Sequence, residues 1–121
     1  MDKLLLIDDE ADVQYSFRRI LDSAGVELHT ASSGEEGLRL VPKLKPDLVL
    51  MDIMMPEMDG YQTIGHIREE PAYRRLPIIA LTAKAMKGDR EKCLEAGASD
   101  YLAKPVNTEQ LLSALRMWLH R

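Results

Sequence analysis

Asp8 and Asp9 follow the apolar run LLLI, Asp52 follows LVLM, Thr82 follows IIAL, and Lys104 stands before Pro105 after YLA. Carboxylates, a hydroxyl and a primary amine are the parts of a site for phosphoryl groups and hard cations. Carboxylate oxygens suit a small divalent ion such as Mg²⁺. A carboxylate can also attack phosphorus to give an acyl phosphate, while an amine neutralises the phosphoryl oxygens and a hydroxyl donates to the product. In that chemistry Asp52 is the natural nucleophile and Thr82 the natural donor. Taken singly, each residue has a plainer reading. Asp8 and Asp9, with Glu10 and Asp12, fit the cap and first turn of a helix. Asp52 fits a turn, Thr82 a strand residue or a cap, and Lys104 a solvated loop lysine. A fold that brought them together would gather three carboxylates whose repulsion calls for a cation.

Short apolar runs alternate with segments of helical periodicity. Residues 3–7, 26–31, 47–51, 78–81 and 101–103 read as strands. Val13, Phe17, Ile20, Leu21 and Ala24 share one helical face, as do Leu111, Leu112, Leu115 and Leu119. Ser33 with Glu36, Asp59 with Gln62, and Asn107 with Gln110 have the spacing of reciprocal caps opening the second, third and fifth helices. Gly25 and Gly97 fit C-terminal caps. Pro42 should kink or end the second helix, and Gly88, inside MKGDREKCLEAG, weakens the fourth.

Strict alternation with nearly wholly apolar first and third strands predicts an α/β fold, a doubly wound, flavodoxin-like parallel sheet covered by helices on both faces. The common order for five such units is 2-1-3-4-5, with ligands at the carboxyl ends of the strands beside the switch between strands one and three. All of the residues singled out above follow strands, so this edge is where they should meet.

The chain has 121 residues, of which 45% are hydrophobic and 30% charged, proportions of one folded domain spanning residues 1–121. Its single Cys93 has no partner for a disulfide, and His29, His66 and His120 are scattered, so no Cys/His metal site is expected. No apolar run approaches the length of a bilayer span and MDKLLLIDDE lacks a secretory signal, so a cytoplasmic location is expected. The net charge of −4 gives no reason to expect a nucleic-acid or membrane surface.

The segments LLLIDDE, DLVLMDIMMPEMDG, PIIALTAKA and DYLAKP occur in the order and spacing of the receiver domains of two-component response regulators, and the chain resembles that CheY-like family over essentially its whole length. The resemblance implies that Asp52 accepts a phosphoryl group from a phosphohistidine of a histidine kinase or histidine phosphotransfer domain. It further implies that Asp9, Asp52 and the Met54 backbone carbonyl bind Mg²⁺ or Mn²⁺ directly, Asp8 binds it through water, and Lys104, ahead of a cis Lys104–Pro105 peptide, contacts the phosphoryl oxygens. Thr82 and Tyr101 match the family's switch pair. Met54 and Lys84 occupy positions that tune hydrolysis of the acyl phosphate, and a bulky apolar Met54 leads us to expect slower dephosphorylation than in a Met54→Asn variant. Such a domain catalyses its own phosphotransfer and autodephosphorylation, but its output is binding.

Implied partners meet the acidic edge near the first helix, where Tyr15 and Phe17 are candidates for contact or burial, Phe17 rather for burial. An output partner or a homodimer would use the fourth helix, fifth strand and fifth helix, where Trp118 is a candidate contact, although core packing is favoured slightly. The segment from Pro77 to Pro105 resembles receivers of hybrid histidine kinases, and DVQYSFRRIL those of transcriptional activators. Two other classes fit less well. A flavodoxin-like cofactor protein would need phosphate donors where DDEADV stands. A haloacid-dehalogenase-like phosphatase would need an acid where Met54 stands. A receiver that no longer takes up phosphate would not be expected to keep Asp8, Asp9, Asp52, Thr82 and Lys104 together.

Overall fold

A computed structural model describes residues 1–83 and 88–119. The chain runs β1 (Asp2–Ile7), α1 (Ala11–Leu21), β2 (Val26–Ala31), α2 (Gly34–Leu44), β3 (Leu48–Asp52) and α3 (Gly60–Glu69). A short 3-10 turn (Pro71–Tyr73) leads into β4 (Ile78–Thr82), α4 (Asp89–Ala96), β5 (Asp100–Ala103) and α5 (Thr108–Leu119). All strands are parallel, in the order β2-β1-β3-β4-β5. This is the doubly wound sheet that the sequence predicts.

Period-two alternation splits the sheet's side chains between two cores. Leu5, Ile7, Val49, Met51, Ile78 and Ala80 face Val41 of α2, Ile64 and Ile67 of α3, and Cys93 of α4. Leu4, Leu6, Leu48, Leu50, Ile79 and Leu81 face Phe17 and Leu21 of α1 and Leu111, Ala114 and Leu115 of α5. β3 and β4 are buried at every position, which is why they read as unbroken apolar runs rather than alternating ones. Each of the five α-helices described therefore has a sheet face to cover.

The caps set the entry to each helix. Asp59 and Gln62 form both halves of the expected box. Asn107 Oδ1 accepts from the Gln110 amide at 3.1 Å. Ser33 Oγ accepts from the Glu36 amide at 3.1 Å, but Glu36 Oε1 accepts from the Ser32 amide, one residue earlier than the reciprocal motif demands.

Three expectations need correction. Pro42 does not end α2, which continues to Leu44 and closes on Lys45 in the left-handed region. Proline deprives the Leu38 carbonyl of its donor, but Val41 is 2% exposed in the core and anchors the last turn. Gly88 lies outside α4 as its N-cap, with φ of 98°, so it costs the helix interior nothing. α1 stops at Leu21, which leaves Ala24 past its end and exposed, and Gly25 (φ 73°) closes the following turn rather than capping the helix directly. Gly97 caps α4 as expected, its amide bonded back to the last turn. Among the described residues no helix is long and apolar enough to cross a membrane.

Candidate functional site

β1 and β3 are neighbours in the sheet, so the residues that leave their carboxyl ends emerge side by side. Asp8 is fully buried and Asp52 is 1% exposed, while Asp9 and Glu10 are open to solvent. One carboxylate oxygen from each of these four residues lies within 4.8 Å of the others. Glu10 was read from sequence as part of an acidic helix start, not as a member of this set. Its signal was present in the DDE run, but its reach depends on how β1 passes into α1.

Asp8 and Asp52 are built alike. Asp8 Oδ1 accepts from the Glu10 amide at 2.9 Å, and Asp52 Oδ1 accepts from the Met54 amide at 3.1 Å. Each carboxylate thus folds its own loop by an Asx-type turn, so the plain turn reading of Asp52 holds for one of its two oxygens. The other oxygen, Oδ2, is buried and has no hydrogen-bond partner among the described residues. Nor does Asp8 cap α1: the N-cap position belongs to Glu10, whose side chain makes no cap bond. Gln14 holds this loop from the helix side, its amide nitrogen donating to the Asp8 carbonyl at 2.7 Å.

Lys104 enters from the far edge of the sheet. Its backbone amide donates to the Thr82 carbonyl at 2.6 Å, extending the β4–β5 pairing, and the Lys104–Pro105 peptide is cis. Its ammonium lies 2.8 Å from Asp8 Oδ2, 3.3 Å from Asp52 Oδ1 and 3.7 Å from Glu10 Oε1. Burial works against its charge, but the Asp8 hydrogen bond and the Asp52 and Asp8 charges outweigh that and hold its pKa above the ordinary lysine value. For Asp52 the balance goes the other way. Burial first, then the Asp8 charge, push its pKa up to about 6, against the pull of Lys104 and the Met54 amide. One ammonium cannot neutralise two buried acids with two more beside them, and the site is short of positive charge.

Thr82 is the last residue of β4, 4% exposed, and its hydroxyl is buried without a hydrogen-bond partner among the described residues. Tyr101, on β5, pairs with Ala80 in register and is partly buried against the core beneath α3 and α4. Met54 is 70% exposed at the rim. Lys84 lies outside the described residues. Phe17 is buried under α1, whereas Tyr15 is exposed, its hydroxyl accepting from Arg19 Nη1 at 3.2 Å. Trp118 packs partly buried against the α1/α5 core and donates from Nε1 to Asp100 Oδ2 at 3.1 Å.

The approach of α3 to this site is tight. Gly60 begins the helix against β3, where a Cβ would collide with the Asp52 carbonyl and lie 2.6 Å from Ile53 Cα. Arg68, near the other end of α3, was not singled out in the sequence. It is a clamp: Nε donates to the Gly97 carbonyl at 2.9 Å, and Nη1 to the Tyr73 and Leu76 carbonyls at 2.6 and 2.7 Å. No motif marks it, because its three shortest bonds go to main-chain carbonyls.

The chain matches the model of the response regulator receiver domain over residues 4–116. It is 39% identical over 119 residues to the response regulator MprA of Mycolicibacterium vanbaalenii, covering 98% of this chain and 51% of that longer protein, about half its length. Chemotaxis protein CheY4 of Vibrio cholerae superposes with a TM-score of 0.92 at 32% identity, over 98% of this chain and 99% of the other. The receiver domain of sensor histidine kinase PA1611 of Pseudomonas aeruginosa PAO1, solved with a magnesium ion coordinated in its active-site cleft, superposes with a TM-score of 0.91 at 38% identity, over 99% and 98%. With its strand order, its acidic edge and a family match running almost from end to end, this chain belongs to the receiver domains of two-component response regulators.

Proposed function

We propose that Asp52 accepts a phosphoryl group from the phosphohistidine of a histidine kinase or histidine phosphotransfer domain, with Mg²⁺ or Mn²⁺ held beside it. The observation that carries this reading is Asp52 Oδ2, a buried carboxylate oxygen left without a partner among the described residues while Oδ1 is fixed by Met54 and Lys104. An oxygen in that condition is costly unless something else uses it. A cation ligated there, and attack on phosphorus, both do.

The donor set fits a hard divalent ion: oxygen only, clustered, and with more negative charge than Lys104 balances. Asp9, Asp52 and the Met54 carbonyl would hold it directly and Asp8 through water. When bound, it supplies positive charge that neutralises the equatorial phosphoryl oxygens.

The chain's own groups do the rest. A carboxylate oxygen of Asp52 forms the new O–P bond as the P–N bond to imidazole breaks, and the histidine keeps the electron pair of that bond. Lys104, already between Asp8 and Asp52, exchanges part of its pairing for the incoming phosphoryl oxygens. Thr82 offers a buried hydroxyl without a present partner, suited to donate to the same group. Movement of that hydroxyl would free space for Tyr101, and the face made by α4, β5 and α5 would carry the signal as a population shift.

Incubation with Mg²⁺ and a small acyl phosphate, followed by intact mass, tests the reading. Wild type should gain one phosphoryl group and Asp52→Asn none. No gain on wild type overturns it, and equal gain on both moves the acceptor elsewhere.

A further inference from the structure

At the edge of the sheet opposite the carboxylates one cleft is basic. Where β4 and β5 begin and α3 and α5 end, a cleft of about 610 Å³ is lined by Arg68, Arg74, Arg75, Pro77, Ser99 and Trp118. Three of the six are arginines and none is an acid, in a chain whose net charge is −4. Arg74 and Arg75 are exposed and make no side-chain hydrogen bond or ion pair among the described residues. Arg68 is partly buried, and its acceptors are three carbonyls and the Ser99 hydroxyl, the last at 3.4 Å, so its charge is hydrogen-bonded but not neutralised. Burial holds its pKa below the usual arginine value, as expected for a cation without a counter-ion.

We propose that this cleft binds a small phosphate-bearing anion, with its phosphates on Arg74 and Arg75 and its negative charge balancing Arg68. Three features select that ligand class. Guanidinium groups match phosphate oxygens in bidentate pairs. The volume falls within the few hundred to 1,000 Å³ of small-molecule sites, on the order of a di- or triphosphate with a modest organic part. Trp118 supplies an apolar wall whose indole N–H is already taken by Asp100, leaving the arginines and the Ser99 hydroxyl as the polar groups of the lining. Trp118 also belongs to α5, and Asp100 adjoins Tyr101 and accepts from its amide at 2.8 Å. A ligand here would therefore lie against the output elements from the side away from Asp52.

The chain's only tryptophan gives the test a single-site reporter. Pyrophosphate and ADP are titrated into the whole chain at low salt without divalent ions, following the indole N–H resonance of Trp118 and the heat of binding. Both should show a saturable shift, weakened about tenfold or more in the Arg74→Ala/Arg75→Ala double variant and unchanged in Lys104→Met. Both exchanged arginines are exposed, and the variant's far-ultraviolet spectrum and melting point should match wild type. No saturable response to either anion overturns the proposal, as does binding that survives the double arginine variant. Binding lost in Lys104→Met places the anion at the carboxylate edge and overturns it equally. None of these outcomes bears on phosphorylation of Asp52.

Discussion

The Lys104 ammonium lies 2.8 Å from Asp8 Oδ2, closer than its 3.3 Å approach to Asp52 Oδ1. In this state the lysine is shared, and its nearer partner is the buried acid on β1's exit, Asp8, rather than Asp52 on β3's.

If Asp52 takes up phosphate as proposed, that sharing should make Lys104 matter more to phosphotransfer than to cation binding. In Lys104→Met the acids keep their positions but lose a competing cation, so Mg²⁺ affinity should hold or rise. Removing one preorganised charge from the transition state should slow labelling by an acyl phosphate by about 10²-fold or more. Calorimetry with Mg²⁺ and a time course by intact mass measure the two separately.

Asp52 should make stability fall as pH rises. Its folded pKa of about 6 lies above the ordinary aspartate value of 3.8, so between those values the native state holds a proton that the unfolded chain has released. Its contribution is complete below pH 4 and is lost as pH climbs through 6, a difference of about 3 kcal/mol. Metal-free wild type should therefore lose stability against Asp52→Asn across that window in urea titrations. If the acidic cluster binds Mg²⁺ as proposed, saturating Mg²⁺ should reverse the ranking near pH 7.

Gly60→Ala should destabilise the fold by about 2–4 kcal/mol, because the added carbon meets main-chain atoms of Asp52 and Ile53 that cannot swing aside. Gly65→Ala, on the same helix with open space around it, should be neutral or stabilising. Paired urea unfolding curves give the comparison.

Arg68→Met retains much of the apolar stem and deletes the clamp. Leaving the Gly97, Tyr73 and Leu76 carbonyls short of a donor should cost about 2–3 kcal/mol, and Arg68→Lys should recover only part of it, since one ammonium cannot reproduce the fork. Amide exchange should rise first around Gly97 and the turn at residues 71–76.

Met54 stands 70% exposed, and on the proposed reading its bulky apolar side chain would hinder water from reaching an acyl phosphate on Asp52. The acyl phosphate of wild type should decay more slowly than that of Met54→Asn. Loss of the added mass after removal of the donor gives both rates, and equal or slower decay in the variant removes this role.

What the sequence determined by itself is what local periodicity encodes. Leu4 to Ile7 and Leu48 to Met51 had to be strands buried on both faces, Phe17 and Leu21 had to share a helical face, and Asp59 with Gln62 had to open a helix, because each rests on spacing within a few residues. Asp8, Asp52, Thr82 and Lys104 could be read as one group because all follow strands of a parallel sheet. Only the tertiary structure decided which oxygen Asp52 keeps free, that Lys104 leans toward Asp8, and that Arg68 is bound to carbonyls brought in by two segments, the turn at residues 71–76 and Gly97 after α4. It also decided that the core holds α2 together past Pro42. These are contacts between parts of the chain far apart in sequence, and their energies depend on distances and burial that exist only once the sheet and its helices have closed.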